Sequence, residues 1–197
     1  MEFAEVVKFH GHVCPGLAMG FRVAELVVAE MKLQRSDDEE LVAIVENNSC
    51  AVDAIQMVTG CTFGKGNLIF RDYGKQVYTF IKRGTGESMR VAVSWQPPNE
   101  DEKTTKGWQD YMAGNREPEV VEIVKKGKAR KTKKILAASF DDLFEVGAAQ
   151  ESLPAKAQVY PTVRCADCGE KTMAPKILTG EDEKKRCIPC QEKRKDN

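Results

Sequence analysis

Residues 41–61, LVAIVENNSCAVDAIQMVTGC, change character within one short stretch. Leu41 to Val45 is an unbroken apolar, largely β-branched run that predicts a buried strand, bounded by Asn47 and Asn48. Cys50 to Thr59 then fits a helix, which Gly60 stops. Upstream, Pro15 suits the first position of a helix, because its missing N–H would be unpaired there anyway. Leu17, Phe21, Ala24, Val28 and Met31 recur at three- and four-residue spacing behind it, and the stripe ends before the polar run Ser36 to Glu40. Downstream, Asn67–Asp72, Gln76–Arg83 and Ser88–Trp95 read as three further strands. Tyr73-Gly74 and Gly84-Thr85-Gly86 are the turns, so the last two strands pair as a hairpin, closed by Pro97 and Pro98. Helices and strands intermix, which gives an α+β core.

Weaker helical patterns run from Lys103 to Met112 and from Glu117 to Lys126. Lys125 to Lys134 holds seven basic residues in ten with no aromatic between them, which reads as a solvated basic face or loop. Phe140 to Val146 completes the core. Periodicity fades from Gln150 to Pro161, where Pro154 and Pro161 mark a linker. The expected organisation is therefore a core over 1–150, a linker over 151–160 and a small C-terminal domain over 161–197.

The chain has 197 residues, 42% hydrophobic and 30% charged, which fits a packed soluble protein and excludes collagen-like, disordered and membrane-spanning classes. Thirty Lys and Arg balance thirty Asp and Glu, so no global field draws it to nucleic acid or an anionic membrane. No apolar block of signal-peptide length opens the chain, and the expected location is the cytoplasm. Seven cysteines without an export signal point to thiol or metal chemistry in place of a disulfide framework.

Cys165-x-x-Cys168 and Cys187-x-x-Cys190 have the spacing of a four-thiolate zinc site. The segment around them is too short and polar for a core of its own, so metal binding supplies most of its folding free energy, roughly 10 to 16 kcal/mol in comparable peptides. Lys184, Lys185, Arg186, Lys193, Arg194 and Lys195 could grip nucleic acid. Glu170, Glu181, Asp182 and Glu183 interrupt that field and stacking aromatics are missing, which favours a structural or docking knuckle.

His10, His12 and Cys14 alternate, so an extended segment would project all three from one face toward a single ion. The predicted topology returns the end of the 41–45 strand to the start of the first long helix, which delivers Cys50 and Asp53 to the same place. Cys61 lies roughly 16 Å farther along a straight helix, so it is separate or completes the site of a neighbouring protomer. The loop Thr59 to Asn67 fails the phosphate-loop spacing, though Lys65 and the backbone amides could still receive an anionic ligand.

The string FHGHVCPG with its helix, then ENNSCAVDAIQMVTGCTFGKGNL, then two Cys-x-x-Cys knuckles, resembles the FmdE family of formylmethanofuran dehydrogenase proteins over nearly the whole chain. The resemblance implies a thioredoxin-like α+β core with a mixed sheet flanked by helices, a treble-clef zinc finger and a homodimer. It also implies a core metal site at His10, His12, Cys14, Cys50 and Cys61, a structural zinc at Cys165, Cys168, Cys187 and Cys190, and a molybdenum enzyme as partner. The leading expectation is a metal-binding accessory or subunit-like protein of anaerobic one-carbon metabolism, with zinc, nickel or iron in an open core site. The alternatives are a zinc-finger adaptor for protein or nucleic acid whose core serves dimerisation, and a thiol oxidoreductase, weakened because the core has no Cys-x-x-Cys.

Overall fold

A helix that the apolar periodicity left unassigned opens the chain. In the computed structural model, which describes residues 1–97 and 99–195 and leaves the Lys195 side chain aside, α1 spans Phe3–His10. Pro98 lies outside the described residues, as do Asp196 and Asn197. Glu2 and Glu5 form a reciprocal capping box at the start of α1, Val6 is its buried anchor, and Gly11 ends it at φ 92° with its N–H donating to Val7 O. The extended His10-to-Cys14 segment is thereby corrected: His10 occupies the last turn of a helix.

Next comes α2, Pro15–Glu30, with Pro15 in the first turn and Cys14 as the N-cap. Its buried residues run almost all round, from Leu17 and Ala18 to Leu26 and Val27, as befits the central helix. Strand β1 (Leu41–Val45) is buried throughout, α3 covers Ala51–Thr59, and β2 is Leu68–Phe70. The hairpin β3 (Val77–Lys82) and β4 (Ser88–Val93) follows, then α4 (Glu102–Met112), α5 (Pro118–Ala137), a short α6 (Phe140–Leu143) and β5 (Phe144–Gly147). The sheet order is β2-β1-β3-β4-β5; β1 and β2 are parallel through the α3 crossover, and every other pair is antiparallel. Alternation along β1 sends Leu41, Ala43 and Val45 into the main core with α2, and Val42 and Ile44 to the opposite face with Ile81 and Ile69.

The basic run belongs to α5, so of the two readings, face or loop, the helix face is the one present. Leu143 and Phe144 are buried in the main core. Arg83 holds Pro154 O at 2.6 Å, Ala155 O at 3.1 Å and Glu39 Oε2 at 3.0 Å, which ties the segment after β5 to the core.

The chain divides into Met1–Lys156 and Ala157–Asn197. Within the second unit, β6 (Thr162–Arg164) pairs with β7 (Lys171–Met173), and β8 (Ile177–Thr179) pairs with β9 (Lys185–Cys187), which leads directly into α7 (Ile188–Lys195). Among the described residues no helix is long and apolar enough to cross a membrane.

Candidate metal centres

Three helix ends build the core site. Left-handed Gly11 reverses the chain just after His10, so His12 folds back beside it with ring centroids 4.4 Å apart. At the start of α2, Cys14 Sγ accepts a hydrogen bond from Leu17 N–H at 3.4 Å. Cys50 heads α3, and the crossing of α2 with α3 brings it to Cys14. A Cβ on Gly20 would lie 2.2 Å from Ala51 O, so only glycine lets the two backbones approach so closely. A Cβ on Gly16 would stand 3.3 Å from Cys50 Cβ.

One donor atom from each of His10, His12, Cys14 and Cys50 lies within 4.8 Å of the others. His10 Nε2 is 3.9 Å from Cys14 Sγ, because Nδ1–H on the other side of the ring donates to Asp53 Oδ2 at 2.7 Å. This carboxylate–histidine pairing is the outer support that metal-ligating imidazoles ordinarily carry. A tetrahedral ion with bonds of about 2.0 to 2.3 Å needs donors roughly 3.3 to 3.8 Å apart. The donors, none more than 4.8 Å from another, come within about 1 Å of that spacing, and two imidazoles with two thiols suit a borderline-soft divalent ion. Burial and the neighbouring Cys14 push the Cys50 thiol up, a penalty on adjacent negative sulfurs that a cation would offset. Cys14 is buried and His12 exposed, so one side of the cluster faces solvent.

Three expected site residues stand apart from these donors. Asp53 supports His10 and stands behind the cluster. Cys61 is not brought to it: α3 carries it away, it is fully buried, and its Sγ donates to Leu41 O at 3.4 Å. Lys65 Nζ donates to Ser36 O at 2.9 Å and Asp37 O at 3.2 Å, so this cation ties the loop down.

The tail site has the donor set of a closed zinc centre. The sulfurs of Cys165, Cys168, Cys187 and Cys190 lie within 4.8 Å of one another, with Cys168 Sγ 3.9 Å from Cys187 Sγ. Amide hydrogen bonds from Cys168 and Cys187 lower the Cys165 thiol to about 6, while crowding against Cys187 and burial hold Cys190 up at about 12. Four thiols sharing so small a volume cannot all ionise without a cation between them. Sequence reasoning missed what frames them. Arg186, which reads in the sequence as one of several surface cations, is only 1% exposed and forks onto Asp182, with its Nε 2.9 Å from Asp167 Oδ2. Arg194 also holds Asp167, at 2.8 Å. The i,i+4 spacing of Asp182 and Arg186 was the available signal.

Two family models match separate parts of the chain. Residues 158–195 match the prokaryotic dksA/traR C4-type zinc finger. A relative from Archaeoglobus fulgidus, called a probable S-adenosyl-L-methionine-binding protein, is 29% identical over 205 positions, which cover 93% of this chain and 50% of the relative. The chain thus spans about half the length of that curated relative. The crystal structure of an FmdE-like protein of tungsten formylmethanofuran dehydrogenase type, from Syntrophus aciditrophicus, is 27% identical. It superimposes with a TM-score of 0.62 and covers 97% of this chain and 92% of that one. Residues 9–145, which hold all four donors of the core cluster, match the family described as FmdE, molybdenum formylmethanofuran dehydrogenase operon, and the chain belongs to the FmdE family.

Proposed function

We propose that the core of this protein binds one divalent transition metal of the zinc, nickel or iron type at His10, His12, Cys14 and Cys50, while the tail binds a structural zinc. In this reading the protein is an accessory or subunit-like component of formylmethanofuran dehydrogenase-type one-carbon metabolism and works as a homodimer. The observation that carries it is the convergence of the four donors with Asp53 holding His10 from behind. Buried Cys14 anchors the site and exposed His12 is the ligand that can yield its place to an incoming molecule. A metal bound there would supply Lewis-acid polarisation of a carbonyl or an activated water. The chain's own residues fix the imidazole of His10, keep one wall apolar and leave the His12 side open. Support for the metabolic setting comes from the family and from the name of the Syntrophus protein. Support for dimerisation comes from the edge strand β2, with Phe70 41% exposed at its end.

Metal analysis of anaerobically purified full-length protein tests the reading. Two metal ions per chain are expected, falling to one in the His12→Ala, Cys14→Ser double variant. Equal metal content in both proteins would remove these residues from any site. Sedimentation should give a dimer of about 44 kDa, twice the 21.9 kDa chain.

A further inference from the structure

Val13 sits between two of the proposed ligands, yet the residue is 55% exposed. It forms one wall of a groove of about 430 Å³ whose other wall is α5, through Ala129, Thr132, Lys133, Leu136 and Ala137. Leu136 also packs against the apolar cluster that contains Cys14 and Leu17, so the groove is continuous with the packing around the ligands. Residues 125, 129, 132, 133 and 136 share one face of α5 by their three- and four-residue spacing. Lys125 and Lys133 therefore bracket the apolar strip, and neither has a carboxylate partner among the described residues. Three other cations of α5 do: Lys126 pairs with Glu122, and Arg130 and Lys131 with Glu100. Lys128, which lies over the Trp108 and Tyr111 rings, and Lys134 also lack a carboxylate partner among the described residues, and of these cations Lys133 is the one that lines the groove.

We infer that this groove is the ligand subsite of the core centre and takes a small organic anion, its aryl or alkyl body against Val13 and Leu136 and its negative end on Lys133. The inference rests on the metal reading of the core, since the groove gains its purpose from adjoining His12 and Cys14. Its volume falls within the range that holds small molecules. An apolar floor favours a carbon body over a bare inorganic ion, and an unpaired ammonium at the rim favours an anion over a neutral compound.

The test uses full-length protein with zinc in the tail and cobalt(II) added to the core, and 8-anilinonaphthalene-1-sulfonate as the probe, an aryl body carrying one sulfonate. Fluorescence titration should show one saturable site. Lys133→Ala should weaken it about threefold to fivefold, as loss of a part-exposed ion pair does. Ala129→Glu, a change on an exposed helix position, should abolish it by placing a carboxylate in the groove. The uncharged analogue N-phenyl-1-naphthylamine should bind equally to wild type and Lys133→Ala. Unchanged probe affinity in Ala129→Glu would overturn the inference, and so would indifference of the sulfonate to Lys133→Ala. The thiolate-to-cobalt absorption band should persist in both groove variants. Its absence from wild type would overturn the metal reading separately.

Discussion

If the core binds a metal as proposed, truncating Asp53 should weaken that site while leaving the tail site untouched. Asp53 accepts from His10 Nδ1 at 2.7 Å, with side-chain exposures of 10% for His10 and 39% for Asp53. A hydrogen bond to a charged partner contributes about 1.5 to 3 kcal/mol when sheltered, and water at the half-open Asp53 side places this one near the lower end. About 1.5 to 2 kcal/mol corresponds to roughly a 10- to 30-fold loss of metal affinity in Asp53→Ala, inside the range typical for outer-shell carboxylates. Asp53→Asn keeps an acceptor without the charge and should lose less, roughly threefold to sixfold. The assay is competition of full-length protein with a chromophoric chelator for zinc, the tail site serving as internal reference. Asp53 also lies in the first turn of α3, where a carboxylate favours the helix, so the apo melting temperature must be followed alongside. Core affinity within twofold of wild type in Asp53→Ala, or an equal loss at the tail site, would refute the argument that the carboxylate orients His10.

Gly20→Ala should destabilise the core by about 3 kcal/mol or more, because the new Cβ meets the Ala51 backbone and must part α2 from α3. Thermal melting should register a fall of roughly 6 to 12 °C, against no more than a small change in Gly64→Ala, whose Cβ meets nothing within 4 Å. Burial pushes the Cys61 thiol from 9.0 to about 11, so the neutral thiol's contribution is complete below pH 9 and is lost as pH rises through 11. Denaturant unfolding at pH 8 and above pH 11 should show wild type losing about 3 kcal/mol more than Cys61→Ala; a pH-independent difference would contradict that burial. In the Cys165→Ser, Cys190→Ser double variant one zinc and the ordered tail should vanish together, read by metal content and limited proteolysis, while the core melting transition stays in place.

The sequence readings that hold are those in which local pattern and tertiary demand coincide. Leu41–Val45 is apolar at every position because it is buried on both faces, and Pro15 and Gly60 mark helix ends by backbone chemistry that no packing can override. The first helix escaped because its start is capped by Glu2 and Glu5, where the usual cue is Ser, Thr, Asp or Asn. Its end was nevertheless written plainly: Phe3, Val6 and Val7 follow helical spacing, Lys8 and His10 fill the last turn, and Gly11 stops it. The alternation of His10, His12 and Cys14 therefore suggested, through the wrong geometry, a grouping of side chains that the structure also forms.

What no local pattern could supply is the convergence itself. Asp53 meets His10 across 43 residues of chain, and Cys50 meets Cys14 only because Gly20 lets α2 lie against the start of α3. Each donor stands at or just beyond a helix end: His10 in the last turn of α1, His12 just after its stop, Cys14 capping α2 and Cys50 heading α3. Caps fix helix ends more firmly than open loops fix their residues, so four side chains from three helices can be held for one ion without a dedicated binding loop. The same logic explains the fate of Cys61, a thiol of equal intrinsic chemistry. It follows Gly60 at the far end of α3, where nothing turns it back, and the core takes it in as a small hydrophobe.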